Sequence, residues 1–271
     1  MMRFKKILTR ALPAALLLAA SACGDIAPDE RYIDVPPAEA RRTVLLEDFT
    51  GQGCSNCPAA HRKIEELERQ YGDRLVAVSI HAGTFGVPAD NKRYTGLMQP
   101  EGQVFNDRYG ISEYPQGVVD GRGPMNSDKW ATAVYDAVEQ TTPLTISLSA
   151  ALDGAEIAID CEVESTAALS GNLSLWVIES GIIARQEDEE RGRIPDYPHN
   201  NVFRACANGI DGQGLSLNPG EPRTVTCRVP LRATETETWK PENLAIVAFV
   251  KRGSSVMQAA KCPVTLPETN E

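Results

Sequence analysis

The stretch VLLEDFTGQGCSNCPAAHRKIEELERQYGDRLVAVSI, residues 44–80, decides the fold. VLLEDF (44–49) and LVAVSI (75–80) are short apolar runs of the kind that buried strands make. Between them Ala60, Ile64, Leu67 and Tyr71 recur at helical spacing, and Arg62, Lys63, Glu65, Glu66 and Glu68 fill the other side. That pattern is an amphipathic helix laid on a sheet. Strand, helix and strand within about 40 residues predict a right-handed βαβ unit with parallel strands.

The chemistry lies in GQGCSNCPAAH, residues 51–61, where Cys54 and Cys57 stand at a strand exit and a helix opening. Free amide hydrogens and the helix dipole favour a thiolate at Cys54. Pro58 suits a first turn that needs no amide hydrogen from it, and Gly51 and Gly53 allow a tight exit from the strand. Downstream, YGISEYPQGVVDGR (109–122) places a short strand after Pro115, and Trp130, Val134, Ala137 and Val138 mark one face of a closing helix. Residues 81–102 are rich in Gly and Pro and read as an irregular insertion with a short helix around Asn91 to Met98.

CSNC after the first strand, together with the downstream YP before VVD, resembles the thioredoxin-like family over residues 43–142. The resemblance implies that Cys54 is the exposed attacking thiol, Cys57 the resolving thiol and Pro115 a cis-proline wall, with Ser55, Asn56 and Tyr114 facing substrate. Cys54 thiolate would attack a partner disulfide, and Cys57 would then release the reduced partner from the mixed disulfide. No Trp precedes Cys54, and Ser55–Asn56 replaces the Gly-Pro or Pro-His of strong members, so the direction of electron flow stays open. The non-catalytic reading is a permanent disulfide that closes the turn. Asp48 is either a buried acid serving Cys57 or an exposed carboxylate at the strand end. His61, one turn after Cys57, could join it and His81 around a soft metal ion; packing on the helix is its plainer role, and no metal or other cofactor is expected.

From Pro143 the period changes to two. LTISLSA (144–150), AEIAIDCEV (155–163), LSLWVIES (173–180), TVTCRVPL (224–231), LAIVAFVKR (244–252) and SVMQAAKCPVTL (255–266) alternate between turns. Six such strands predict an all-β immunoglobulin-like sandwich over 143–267. Cys161, Cys206, Cys227 and Cys262 are expected to form two structural disulfides, with Cys161–Cys227 and Cys206–Cys262 preferred among three pairings. The connection from Ile183 to Gly220 holds RQEDEERGR, read as a solvated charged loop, and YPHNNVFRA. The latter, with LLEDFTGQGCSNCP and SEYPQGVVDG, resembles the twenty-eight-kilodalton outer-membrane protein family of Bacteroidetes-type bacteria. His199 and Arg204 within it are read as packing and hydrogen-bonding residues.

The chain opens with Arg3, Lys5, Lys6 and Arg10, then ALPAALLLAA, and AASAC ends at Cys23. This is a secretory signal over residues 1–22, and its end resembles a lipoprotein cleavage site, which implies acylation of Cys23, palmitate included. Residues 24–42 read as a tether. Of 271 residues 27 are basic and 37 acidic, a net charge of −10, and four of the bases fall in the signal, which excludes a general nucleic-acid binder. The expected partners are the lipid bilayer, through the acyl anchor, and envelope or surface proteins. Three functions follow: thiol–disulfide exchange at the outer membrane, facing periplasm or cell surface; a non-enzymatic surface or adhesion scaffold; and soft-metal delivery.

Overall fold

A two-residue strand, β1 (Ala40–Arg41), leads into β2 (Val44–Thr50), all seven of whose residues are buried. Full burial follows from its central place in a sheet covered on both faces, and the alternation of side chains sorts its residues. Leu45 and Phe49 join one apolar cluster, Val44 and Leu46 another on the opposite face. By the same alternation Glu47 goes with the first pair and Asp48 with the second. The computed structural model describes residues 40–267, so the signal, Cys23 and most of the tether lie outside the described residues.

The expected βαβ unit is present. After α1 (Cys57–Tyr71), β3 (Leu75–His81) runs parallel to β2, with Val44 opposite Leu75 and Thr50 opposite His81. The helix buries Cys57, Pro58, Ala60, Ile64 and Leu67. Burying each of Ile64 and Leu67 contributes about 1.5–3 kcal/mol. Next come α2 (Pro100–Tyr109), β4 (Gln116–Val119), β5 (Pro124–Asn126) and α3 (Trp130–Val138), the last burying the four expected residues. Residues 91–98 form no helix. Asn91 instead caps a turn through hydrogen bonds from the amides of Arg93 and Tyr94, and helix appears only from Pro100, whose fixed φ suits a first turn. β6 (Thr141–Thr142) pairs with β1, which turns the last residues expected in the tether into structure: Arg42 makes a 3.0 Å ion pair with buried Asp120.

In the second half β7 (Leu144–Asp153) and β8 (Glu156–Ser165) follow the expected alternation, whereas β9 (Leu169–Glu179) is buried at every residue from Leu173 on, because both faces of its sheet are covered there. The supposed long connection then contains four more strands: β10 (Ile182–Asp188), β11 (Gly192–His199), β12 (Val202–Cys206) and β13 (Gln213–Leu217). β14 (Arg223–Pro230), β15 (Leu244–Arg252) and β16 (Ser255–Pro263) complete the chain. RQEDEERGR is therefore a hairpin, not a solvated loop, and β10 and β11 pair antiparallel from Ile182 opposite His199 to Asp188 opposite Gly192. Its strands escape a reading by hydrophobic period because, Ala184 apart, their buried side chains are polar: Gln186, Asp188 and His199.

One nine-stranded sheet runs in the order β16-β15-β9-β12-β3-β2-β4-β5, with β13 also on β9. Strands from both sides of position 142 thus share a sheet, joined where Val202 of β12 meets Ser79 of β3. The C-terminal half is a β-rich region in which the three-stranded sheet β14-β8-β7 packs on that larger sheet around Ile157, Ile159, Val163, Leu175, Ile246 and Ala248. Its larger layer is not closed off from the N-terminal half. On the other face Phe105, Trp176, Phe203 and Phe249 stack edge to face or tilted, with ring centroids 4.7–5.7 Å apart.

The four distal cysteines are free thiols, and the two-disulfide framework does not form. Cys161, Cys227 and Cys262 share the core between the two sheets, while Cys206 packs in the aromatic cluster on the opposite face of the large sheet. A sheet therefore separates Cys206 from its expected partner. Burial pushes the thiols of Cys161 and Cys206 up to about 12.

Candidate redox site

Cys54 and Cys57 form a disulfide, with Cα atoms 5.4 Å apart, where β2 gives way to α1. Cys57 is the first helical residue, and Asn56 before it supplies no side-chain cap. The helix's uncapped positive end thus stands at the two sulfurs. The Tyr114–Pro115 bond is cis, and Gln116, the next residue, lies opposite Phe49 at the same end of β2. Tyr114 packs edge-on against Phe85, centroids 5.7 Å apart. The Phe85 carbonyl accepts from the amide of Gly53, and a Cβ on Gly51 would stand 2.5 Å from the Phe85 backbone, so this approach requires glycine.

The cysteines are not exposed as expected. Cys54 is 2% accessible and Cys57 fully buried, although Ser55 and Asn56 between them are exposed. The cover is the β10–β11 hairpin. The amide nitrogen of Gln186, a fully buried residue, donates to the carbonyls of Cys54 (2.9 Å) and Gly51 (3.2 Å). The backbone amides of Glu187 and Glu189 donate to the carbonyls of Gln52 and Ser55. Gln52, also buried, binds the backbone of Thr95, Leu97 and Arg185. Neither Gln186 nor Gln52 stood out in the sequence; a glutamine inside an alternating polar run was the only signal.

Beneath the motif, Asp48 faces α1. It is fully buried, neither carboxylate oxygen has a hydrogen-bond partner, and burial pushes its pKa up to about 8. His61 Nε2 lies 3.7 Å from Asp48 Oδ2 and 3.0 Å from Thr50 Oγ1, and its Nδ1 lies 3.0 Å from the Tyr197 hydroxyl. Burial, then the neighbouring His199 and Arg62, holds His61 down at about 3. All three histidines of the chain converge here: the His199 ring is 5.2 Å from His81 and 6.4 Å from His61, centroid to centroid. They line a cavity of about 30 Å³ with Tyr197, Ser79 and Asn201, room for a water molecule. The soft-metal arrangement is not met: Cys57 is bonded to Cys54, and no three of His, Cys, Asp and Glu converge to hold an ion among the described residues.

Arg204, read as a packing residue, lies in a buried ion network with Glu237 (2.7 Å) and Glu179 (3.2 Å). Gln99, Arg232 and Trp239 Nε1 also bind Glu237. Its partners are internal, as the packing and hydrogen-bonding reading expects, and removing one would leave the other charge buried and unpaired.

Among solved structures, HBP35 of Porphyromonas gingivalis is similar with a TM-score of 0.65 at 18% identity, over 86% of this chain and 79% of that one. A protein from Agrobacterium tumefaciens is similar with a TM-score of 0.50 at 15% identity, over 86% and 98%. A domain of the outer membrane lipoprotein Omp28 from P. gingivalis aligns with 47% of this chain and 92% of its own length, at 15% identity and a TM-score of 0.35. The first two likenesses bear on the fold alone. No curated protein matches the chain. The family model for outer membrane protein Omp28 matches residues 102–265, more than half of the 271. This chain, a CxxC disulfide set in a thioredoxin-like scaffold, therefore belongs to the Omp28 outer membrane protein family.

Proposed function

We propose that the protein is a lipid-anchored thiol–disulfide exchange protein of the outer membrane, acting on disulfides of envelope or surface proteins through Cys54 and Cys57. One observation carries the reading: the disulfide sits at the opening of α1, above a buried Asp48 with no hydrogen-bond partner. A buried carboxyl without a partner costs stability, and on the face of β2 that α1 covers it suits a thiol that must gain or lose a proton away from water. In this reading Cys54 is attacked or attacks, Cys57 resolves, and Pro115 with Tyr114, Ser55 and Asn56 borders the partner. Cys23 carries the anchor, residues 24–39 the tether, and the β-rich half, read as an immunoglobulin-like sandwich over 143–267, presents the redox half at 43–142.

The burial of Cys54 under β10 and β11 means that exchange requires the hairpin to lift. The same burial is the specific observation favouring a second reading, a scaffold whose disulfide is permanent. Trapping separates them. In an envelope extract the Cys57→Ala variant should accumulate mixed disulfides on Cys54, and the wild type should reduce insulin disulfides when supplied with a dithiol. No covalent partner, and no turnover above the Cys54→Ala, Cys57→Ala double variant, would establish the scaffold.

A further inference from the structure

We propose that His61 is the proton carrier between solvent and buried Asp48, the acid on the α1 side of β2 that would exchange its proton with Cys57, with Tyr197 of the covering hairpin as the residue that positions its ring. The proposal rests on the exchange reading above and concerns how that site handles protons once its sulfurs react.

The ring of His61 bridges two environments. Nε2 faces inward to Asp48 and Thr50, and Nδ1 faces the Tyr197 hydroxyl at the cavity between α1 and the hairpin. The Asp48 oxygen at 3.7 Å is just beyond hydrogen-bond reach, a gap that a small ring rotation or one water closes. Asp48 itself is fully buried with both oxygens unpartnered, whereas the His61 side chain is 13% exposed, so His61 is the nearest titratable group through which Asp48 meets water. His61 also lies four residues after Cys57, one helical turn along the same helix.

Other groups face this path from every side. His81 on β3 is buried, with neither ring nitrogen hydrogen-bonded, and is held neutral first by burial and then by the neighbouring His199, His61 and Arg204, none of which favours a second positive charge. From the hairpin come Tyr197 and His199; the latter is pulled down to about 4 by burial, against the carbonyls of Arg185 and Ala184. On α1 itself Glu65 and Glu68 stand at the cavity rim, and Arg62 acts on His61. The interior is therefore uncharged at neutral pH, and a proton crosses it by passing over a neutral imidazole.

The step balances as follows for reduction by a dithiol. One thiolate of the dithiol attacks Cys54 Sγ, the Cys54–Cys57 bond breaks, and its electron pair leaves on Cys57 Sγ, which takes the Asp48 proton. The second dithiol sulfur, its proton lost to solvent, attacks the first and closes the cyclic disulfide, and Cys54 leaves as a thiolate that solvent protonates. His61 gives its Nε2 proton to the Asp48 carboxylate as its Nδ1 takes one from the cavity side, so the ring stays neutral, and rotation of the ring restores the starting tautomer. Two protein sulfurs are reduced, two dithiol sulfurs oxidised, and protons are conserved.

The test uses oxidised full-length protein with dithiothreitol, at concentrations where the rate rises linearly with dithiol, so that hairpin opening enters the rate as an equilibrium; because His61 and Tyr197 bond α1 to the hairpin, each variant's opening is measured from hydrogen exchange of the Glu187 and Glu189 amides and divided out. The rate is read from the mass of alkylated protein between pH 5 and 9 and corrected for the dithiol's thiolate fraction. The corrected wild-type rate should fall above about pH 8, where Asp48 loses its proton. His61→Gly should slow reduction about 10-fold or more at pH 7 and recover in imidazole buffer. Asp48→Asn should abolish the inflection, and combining it with His61→Gly should add no further loss. His61→Gln, which keeps a polar group at the site, and Tyr197→Phe guard against a variant that fails to fold; both should slow the reaction without moving the circular dichroism. A His61→Gly profile that superposes on the wild type, a loss without imidazole rescue, or multiplicative losses in the double variant would overturn the carrier role and leave the exchange reading standing. A wild-type disulfide that no dithiol reduces below the unfolding transition would overturn the exchange reading itself.

Discussion

Replacing Asp48 by Asn should stabilise the protein at neutral pH and erase a pH dependence that the wild type carries. In the unfolded chain this carboxyl releases its proton near pH 4, whereas in the fold burial holds the proton until about pH 8. Between those values the native state binds more protons than the unfolded state, so stability falls as pH rises. One pH unit corresponds to about 1.4 kcal/mol, so the three units from pH 4 to pH 7 cost up to about 4 kcal/mol. That is a large part of the ~5–15 kcal/mol that holds a typical domain together. Buried neutral histidines act in the opposite sense: His61 is held near 3, so its contribution is lost as pH falls below about 6.5. Both proteins carry that slope, and the difference between them isolates Asp48. Urea unfolding of the oxidised wild type and Asp48→Asn from pH 4 to pH 9 measures it. The variant's advantage should be near zero at pH 4, grow steadily, and level off past pH 8. A difference that stays flat across this range would show that Asp48 ionises normally, and the reading of a neutral acid beneath the cysteines would fail with it.

Three further outcomes follow from the geometry. Gln186→Ala removes the hydrogen bonds that clamp the hairpin to the motif, about 1 kcal/mol each with two carbonyls left exposed, so reduction of Cys54–Cys57 by dithiothreitol should accelerate about 10-fold or more; an unchanged rate would mean that the hairpin does not limit access. Unreduced protein whose Cys23 is acylated, dissolved in denaturant, should titrate four thiols, Cys161, Cys206, Cys227 and Cys262, with Cys161 slowest to alkylate in the native state; fewer than four would mean that a distal disulfide forms. Gly51→Ala drives a methyl group into the Phe85 backbone and should cost about 1–3 kcal/mol in urea unfolding, whereas an equally stable variant would show that this loop yields freely.

The βαβ unit, the place of the cysteine pair at the helix opening, the closing helix at Trp130 and six of the ten strands from β7 to β16 can be read from the chain alone. Those elements bury apolar side chains at a period of 3.6 or 2, and period is visible in a linear string. The sequence also carried the family, because YPHNNVFRA and CSNC are local patterns. Only the tertiary structure decided which face Asp48 looks toward, since the strand end could be exposed or covered until α1 was laid on it. Only the tertiary structure made RQEDEERGR a cover for Cys54. Its buried groups are Gln186 and backbone amides, and polar groups bury only when partners distant in sequence satisfy them. The same holds for the cysteines: parity and an oxidising compartment argued for pairing, but a shared sheet through the middle of the molecule puts Cys206 on one face and the other three on the opposite one. Local pattern reports what a segment wants to bury, and only the assembled sheet reports what it is buried against.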